Sequence, residues 1–261
     1  MQKIILVAVF TLIFTLSAAA QRKPAPPNKP AHVAPAASAP AAPSPVHEAD
    51  RVFSHGEDAA RDRQSLELIE RAVASDPNNY QLLWRLARSS YYVGDEAPSS
   101  EKVKYFERGI EAAQKAVALQ PGGVEGHFWL GVCYGGVAEV RSALKALQIV
   151  KKIRAEMETA LRLNDRYEDG NAYLALGEMD RELPRLFGGS TSRAIATLEK
   201  GLSVAPKNLN LRLALAQAYL DAGRRDEAVR QLQEILQAPL NPARAREQRS
   251  IQEKARKLLA R

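Results

Sequence analysis

Val124–Tyr134 reads VEGHFWLGVCY. Leu130 is followed at once by Gly131 and, three residues later, by Tyr134. In a helix this places a large apolar group, a gap and an aromatic ring close together on one side. The gap lets a second helix approach closely. Just upstream, Pro121-Gly122-Gly123 closes an amphipathic run that ends AVALQP. Proline and paired glycines stop a helix and turn the chain. The stretch therefore predicts a helix from Val124 to about Val140, laid against neighbours that the same chain supplies.

The pattern continues in both directions. Upstream, Asp62–Ser75 carries Leu66, Ile69, Ala72 and Val73 at helical spacing and stops at Asp76-Pro77-Asn78-Asn79. Tyr80–Val93 is the next predicted helix, then a polar loop from Gly94 to Ser100, with Ser99 or Ser100 as the cap for Glu101–Leu119. Downstream come Ser142–Leu163 and Glu168–Glu182. An apolar loop, Leu183–Ser190, follows them. Ser190 or Thr191 can cap a helix running to Val204, followed by Leu209–Ala222, Arg225–Gln237 and a charged end helix, Ala243–Ala260.

The terminators Pro77, Pro121, Asp165, Pro206 and Pro239 are 44, 44, 41 and 33 residues apart. The last spacing is similar to the period of about 34 that marks tetratricopeptide (TPR) repeats, and the earlier units are longer. Leu130, Gly131 and Tyr134, like Leu215, Ala216 and Tyr219, resemble the first helix of such a unit. The expected fold is all-α: a TPR-like α-solenoid of about four helix pairs, preceded by a lead helix and closed by a C-terminal capping helix. No alternating strand-like run long enough to anchor a sheet is present.

Composition narrows the function. The chain of 261 residues has a net charge of +7, but the excess sits at its ends. Residues 241–261 hold five Arg, two Lys and two Glu, and residues 47–240 carry a net −2. A body of that charge without a nucleic-acid motif excludes nucleic acid as the expected partner. One cysteine, Cys133, excludes an internal disulfide and any Cys-rich metal site, and its apolar surroundings predict a buried small side chain.

Met1–Ala20 reads as a signal peptide: Lys3, an apolar run from Ile4 to Leu16, then Ser17-Ala18-Ala19-Ala20. The expected location is periplasmic or secreted, after cleavage near Ala20. Retention of the run as a membrane anchor stays open. Residues 21–46 are Pro- and Ala-rich and predict a disordered linker, which leaves 47–261 as the helical domain.

Chemistry-bearing motifs are few. His127 is either a ligand contact on the concave face or a packed histidine. It has no metal-ligand partner at the right spacing. Gly135-Gly136 and Gly188-Gly189 lack the form of a phosphate loop, and Gly188-Gly189 suits a backbone turn before a helix. Glu178, Asp180 and Glu182, and likewise Asp62, Asp165 and Asp169, are expected to be solvated charges. Lys145, Lys151, Lys152 and Arg154 make one helix basic, either as a solvated face or as a surface for an acidic partner. No catalytic triad, cofactor or metal site is expected, so the chain is not predicted to be an enzyme. The candidate interaction surface is Trp84, Tyr91, His127, Trp129 and Tyr173, on the first helices of the units.

Three segments carry a family resemblance: WRLARSSYYVGDE, YFERGIEAAQKAVALQPGGVEGHFWLG and EMETALRLND. They resemble the TPR domain of the regulator of microtubule dynamics proteins. LPRLFGGSTSRAIATLEKGLSVAPKN is similar to the T-component proteins of tripartite ATP-independent periplasmic (TRAP) transporters, a group that itself resembles the first. The resemblance covers about residues 78–238. It implies a periplasmic TPR scaffold that binds another protein, a transporter's solute-binding protein, with a small apolar ligand in the helical stack as the alternative. T-components are lipoproteins, whereas here no Cys follows the apolar start.

Overall fold

Helices in this chain start where a side chain can accept the hydrogen bonds that the first backbone N–H groups cannot make inside the helix. Asp58 accepts from Ala60 and Arg61, Asn79 from Gln81 and Leu82, Ser190 from Arg193, and Asn208 from Asn210 and Leu211. In the computed structural model the described residues are 44–141 and 143–260. The export-type start, His32, most of the predicted linker and the side chain of Lys145 lie outside them.

The helices are α1 (Pro45–Val52), α2 (Ala59–Ser75), α3 (Tyr80–Glu96), α4 (Ser99–Leu119), α5 (Val124–Val140), α6 (Ala143–Leu163), α7 (Asn171–Glu182), α8 (Thr191–Val204), α9 (Leu209–Asp221), α10 (Arg225–Gln237) and α11 (Ala245–Leu259). Each packs on its neighbours in sequence, and the first helices of successive units also touch, α3 with α5 and α7 with α9. The result is a TPR-like α-solenoid of four pairs, α3–α4, α5–α6, α7–α8 and α9–α10. The helices α1 and α2 lead it, and α11 lies over α9 and α10.

Two apolar cores fill the stack. One runs from Ala49 to Leu183, the other from Tyr173 to Ala255. Helix α7 belongs to both. Its Ala172, Ala175, Leu176 and Met179 enter the first core, and its Tyr173 and Leu174 enter the second. Rings form a chain through the first core: Phe53 meets Tyr92 at 5.0 Å, Tyr92 meets Trp129 at 6.1 Å, and Trp129 meets Phe128 at 5.3 Å. Phe128 then meets Tyr167 at 5.2 Å, and the Trp129 indole N–H donates to the Tyr167 hydroxyl at 3.1 Å.

Four boundaries differ from the sequence reading. A helix already begins at Pro45, capped by Ser44, where linker composition still prevails. Helix α3 continues through Gly94 to Glu96, because Gly94 lies against Tyr105 and Phe106 of α4. Helix α4 starts directly after Pro98, and neither Ser99 nor Ser100 caps it. Before α7 the chain makes a 3₁₀ turn, Tyr167–Gly170, in which Glu168 and Asp169 take positive φ (48° and 52°). Asn208 holds that turn by donating to the Asp169 carbonyl at 2.9 Å.

Gly131 is a close-approach point: a Cβ there would stand 2.8 Å from Cε of Met157 on α6. Gly131→Leu is expected to destabilise the fold by about 1–3 kcal/mol, read as a lower urea midpoint. Cys133 is fully buried, and burial raises its thiol pKa well above the ordinary value. In the native protein it should resist a thiol reagent, and labelling should track global unfolding.

Candidate functional site

The five residues expected to form an interaction surface are packed. Trp84, Tyr91, Trp129 and Tyr173 are 7 %, 5 %, 0 % and 4 % exposed. Trp84 donates to Gln81 and lies under the Arg85 guanidinium, which is 4.0 Å from its ring centroid. Tyr91 stacks on Phe106, and Tyr173 donates to Asp165 at 3.4 Å. His127 is held at both ring nitrogens, by Glu156 at 2.6 Å and by the Pro121 carbonyl at 2.9 Å. Tyr91 and Trp129 come together, their rings 6.4 Å apart, whereas Trp84, His127 and Tyr173 each serve a separate local contact.

Three of the acidic residues, Glu178, Asp180 and Asp62, correct the expectation of solvated charge. Asp180 is 1 % exposed and Glu178 0 %. The Asp180 carboxylate accepts from Arg154 of α6 at 2.6 Å and from Nε and Nη2 of Arg193 at 2.6 and 2.7 Å. Glu178 pairs with Arg181 at 2.9 Å, and burial raises its pKa. Asp62, also buried, accepts the backbone N–H groups of Ser54 and Gly56, both at 2.7 Å. Helical periodicity does not distinguish an exposed face from one covered by a non-adjacent helix, and α7 is covered on several sides. Of the basic residues on α6, Lys151 and Lys152 are exposed, while Arg154 turns to Asp180.

Asp180 is also the foundation of the loop between α7 and α8. Its carbonyl accepts from Ser190 N at 2.6 Å, and Arg193 reaches both its carboxylate and the Gly188 carbonyl. Inside the loop, Phe187 N and Gly189 N donate to the Pro184 carbonyl. Gly188 has φ +91°, and a Cβ on Gly189 would collide with the Leu183 carbonyl oxygen. The two glycines thus fold the chain tightly, and Leu186 and Phe187 stand out at 87 % and 48 % exposure. A firmly held loop that presents two large apolar side chains to water has the form of a contact surface.

A second polar constellation arises where the two ends of the stack meet. The Glu57 carboxylate accepts from the backbone N–H groups of Arg246 and Glu247, at 3.0 and 3.1 Å, capping α11 from nearly two hundred residues away. Arg246 also bonds the Gly56 carbonyl at 2.8 Å and Glu96 at 3.0 Å. Beside this junction, Arg88 and Arg244 act electrostatically on His55, Tyr92 and Glu168. Burial pushes the Glu168 carboxyl up to about 7 against the pull of both arginines. Burial also pushes the His55 imidazole down to about 3, and the positive fields of Arg244 and Arg88 add to the shift. The sequence reading did not connect these residues. Their one local signal is positive φ at His55 and Glu168, which no composition scan reveals.

A family model described as regulator of microtubule dynamics protein 1-3 matches residues 46–181, more than half of the chain. The chain belongs to this family. A tetratricopeptide repeat model matches residues 189–247, so Leu186 and Phe187 fall between the two matched stretches. Bovine (Bos taurus) regulator of microtubule dynamics protein 1 is 30% identical over 86 residues, which is 32% of this chain and 27% of that protein. The match thus spans about a quarter of that relative. Among solved structures, a thermophilic TPR protein of Thermus thermophilus superposes with a TM-score of 0.58 at 24% identity, covering 79% of this chain and 96% of that one. The crystal structure of MamA gives 0.46 at 21% identity, over 75% and 92%. The likeness to the Thermus protein shows the TPR fold.

Within this family member, Glu168 predicts a pH response. The unfolded chain releases that proton near the ordinary value of 4.5, and the native protein releases it near 7. Between those values the native state binds more protons, so this group's contribution to stability falls as pH rises. Glu168→Gln should remove that component. Its urea midpoint relative to wild type should rise between pH 4.5 and 7 and level off above.

Proposed function

We propose that this member of the regulator of microtubule dynamics family is an exported, non-catalytic scaffold that holds another protein through its 183–190 loop. The proposed partner is a periplasmic solute-binding protein of a transporter, with the scaffold acting in the manner of a TRAP T-component. One observation carries the proposal: Leu186 and Phe187 project into water from a loop anchored on a buried carboxylate. Buried aromatic and aliphatic anchors supply most of the energy of protein interfaces, and a pre-formed loop loses little entropy on binding. The segment containing this loop is also the one that most resembles the T-components. Export is supported by Lys3, the apolar run Ile4–Leu16 and the small residues Ser17–Ala20.

The test is capture from the native envelope with tagged full-length chain, compared with a Leu186→Ser/Phe187→Ser variant. Wild type should bring down a periplasmic solute-binding protein. The variant should lose about ten-fold of it while melting at the same temperature, since neither side chain belongs to a core. Equal capture by the variant would remove the loop from the interface. Capture of other proteins in place of a solute-binding protein would remove the transporter assignment.

A further inference from the structure

The polar residues where the two ends of the stack meet also tie one half of the molecule to the other. The first half is α1–α6 and the second α7–α11. First helices touch within each half, α3 with α5 and α7 with α9, and the junction of α6 with α7 is the most sparsely packed between any two consecutive helices. The connection there is the turn Tyr167–Gly170, in which Glu168, Asp169 and Gly170 take positive φ, 48°, 52° and 72°. Side chains are strained in that region, so rotation of Glu168 and Asp169 out of it relieves strain. Hinges are short connecting segments of this kind, which absorb large changes of φ and ψ.

The halves meet again at the ends, and there the contact is polar. Glu57 accepts from the backbone N–H groups of Arg246 and Glu247, and Arg246 reaches Gly56 and Glu96. The buried apolar residues of α11, Ile251 and Ala255, belong to the second core, whereas Phe53 and Tyr92 belong to the first. The Arg246 side chain is 60 % exposed, so salt and water reach this clasp. Behind the clasp, the closed state carries a cost. Nε of Arg88, the hydroxyl of Tyr92 and Nη2 of Arg244 are buried with no hydrogen-bond partner among the described residues. Arg88 and Tyr92 come from the first half and Arg244 from the second. Burying unpaired polar groups is unfavourable, and water relieves that cost when it enters. A few exposed bonds thus hold shut a seam whose interior favours opening.

We propose that the solenoid is a clamp, whose halves pivot at Tyr167–Gly170 and are latched closed by Glu57 and Arg246. Opening separates the start of α11 from the loop that carries Glu57 and returns Arg88, Tyr92 and Arg244 to water. The clamp is independent of the protein-binding reading of Leu186 and Phe187, which lie wholly within the second half.

Pulsed electron spin resonance on the full-length chain tests the clamp. Spin labels are placed on exposed positions of α2 and α11, as Glu67→Cys and Ser250→Cys in a Cys133→Ala background. With the latch intact at low salt, one distance should dominate. Glu57→Ala/Arg246→Ala should raise a second, longer-distance population at least about five-fold. Salt at about 1 M should raise it with the latch intact, because the Debye length falls to about 3 Å. A label pair within the first half, Glu67→Cys with Glu111→Cys, should keep one distance throughout. Small-angle X-ray scattering of the Glu57→Ala/Arg246→Ala chain with Cys133 retained should show a larger radius of gyration than wild type, and it decides if Cys133→Ala compromises the fold. Distances and radius unchanged by loss of the latch would overturn the clamp. Movement of the pair within the first half would overturn it too, because the change would then be a general loosening.

Discussion

The carboxylate of Asp180 is almost wholly removed from water and meets guanidinium groups from α6 and α8. An unpaired carboxylate in that position would be prohibitively costly, so the two helices must stay where their arginines reach it. Such a bridge does not by itself make a protein more stable than apolar packing would, but removing one partner strands the other charge, at a cost of about 3–5 kcal/mol. Its value here is positional. It ties α6, α7 and α8 together at the place where one apolar core gives way to the next. The exposed loop and the capped start of α8 are both built on the same residue.

Helix α7 gives that bridge its importance. It sends side chains into both cores, so the two halves of the stack are joined by continuous apolar contact. The 3₁₀ turn before it inserts extra backbone between α6 and α7, and Asn208 pins that insertion to the following unit. At the far side, Glu57 caps α11, so the first loop and the last helix constrain each other. A stack of repeats is ordinarily held only by nearest neighbours. This one gains a contact between its ends, which brings Arg244 near Arg88, Tyr92 and Glu168.

Repetition and function divide along these lines. The pairs α3–α4 and α9–α10 are built from close packing and side-chain caps, and they serve as framework. The interesting chemistry gathers where the repeat is interrupted: at the turn with Glu168, at the loop with Leu186 and Phe187, and at the junction around Arg244. Loops and interruptions held by a rigid framework are where proteins generally place their contacts.

Much of the fold was legible in the chain itself. The spacing of Leu130, Gly131 and Tyr134, the regular terminators and the charged end helix define the helices, their pairing and the cap, because local periodicity and short connections are properties of sequence. Asp180 was half-legible. In repeat register it occupies the slot filled by Tyr134 and Tyr219, and a carboxylate in a core slot signals a buried partner. What could not be read is which faces of α7 are covered and where Trp84, Tyr91, Trp129 and Tyr173 point. A first-helix aromatic suits a groove and a core equally well until the neighbouring helices are placed. The meeting of Glu57 with α11, and of Arg244 with Glu168, depends on the accumulated rotation of every unit between them. Sequence alone therefore determined α2 to α11 and their repeating order, but not the leading α1. Tertiary structure decided which charges are buried, because burial depends on elements distant in the chain.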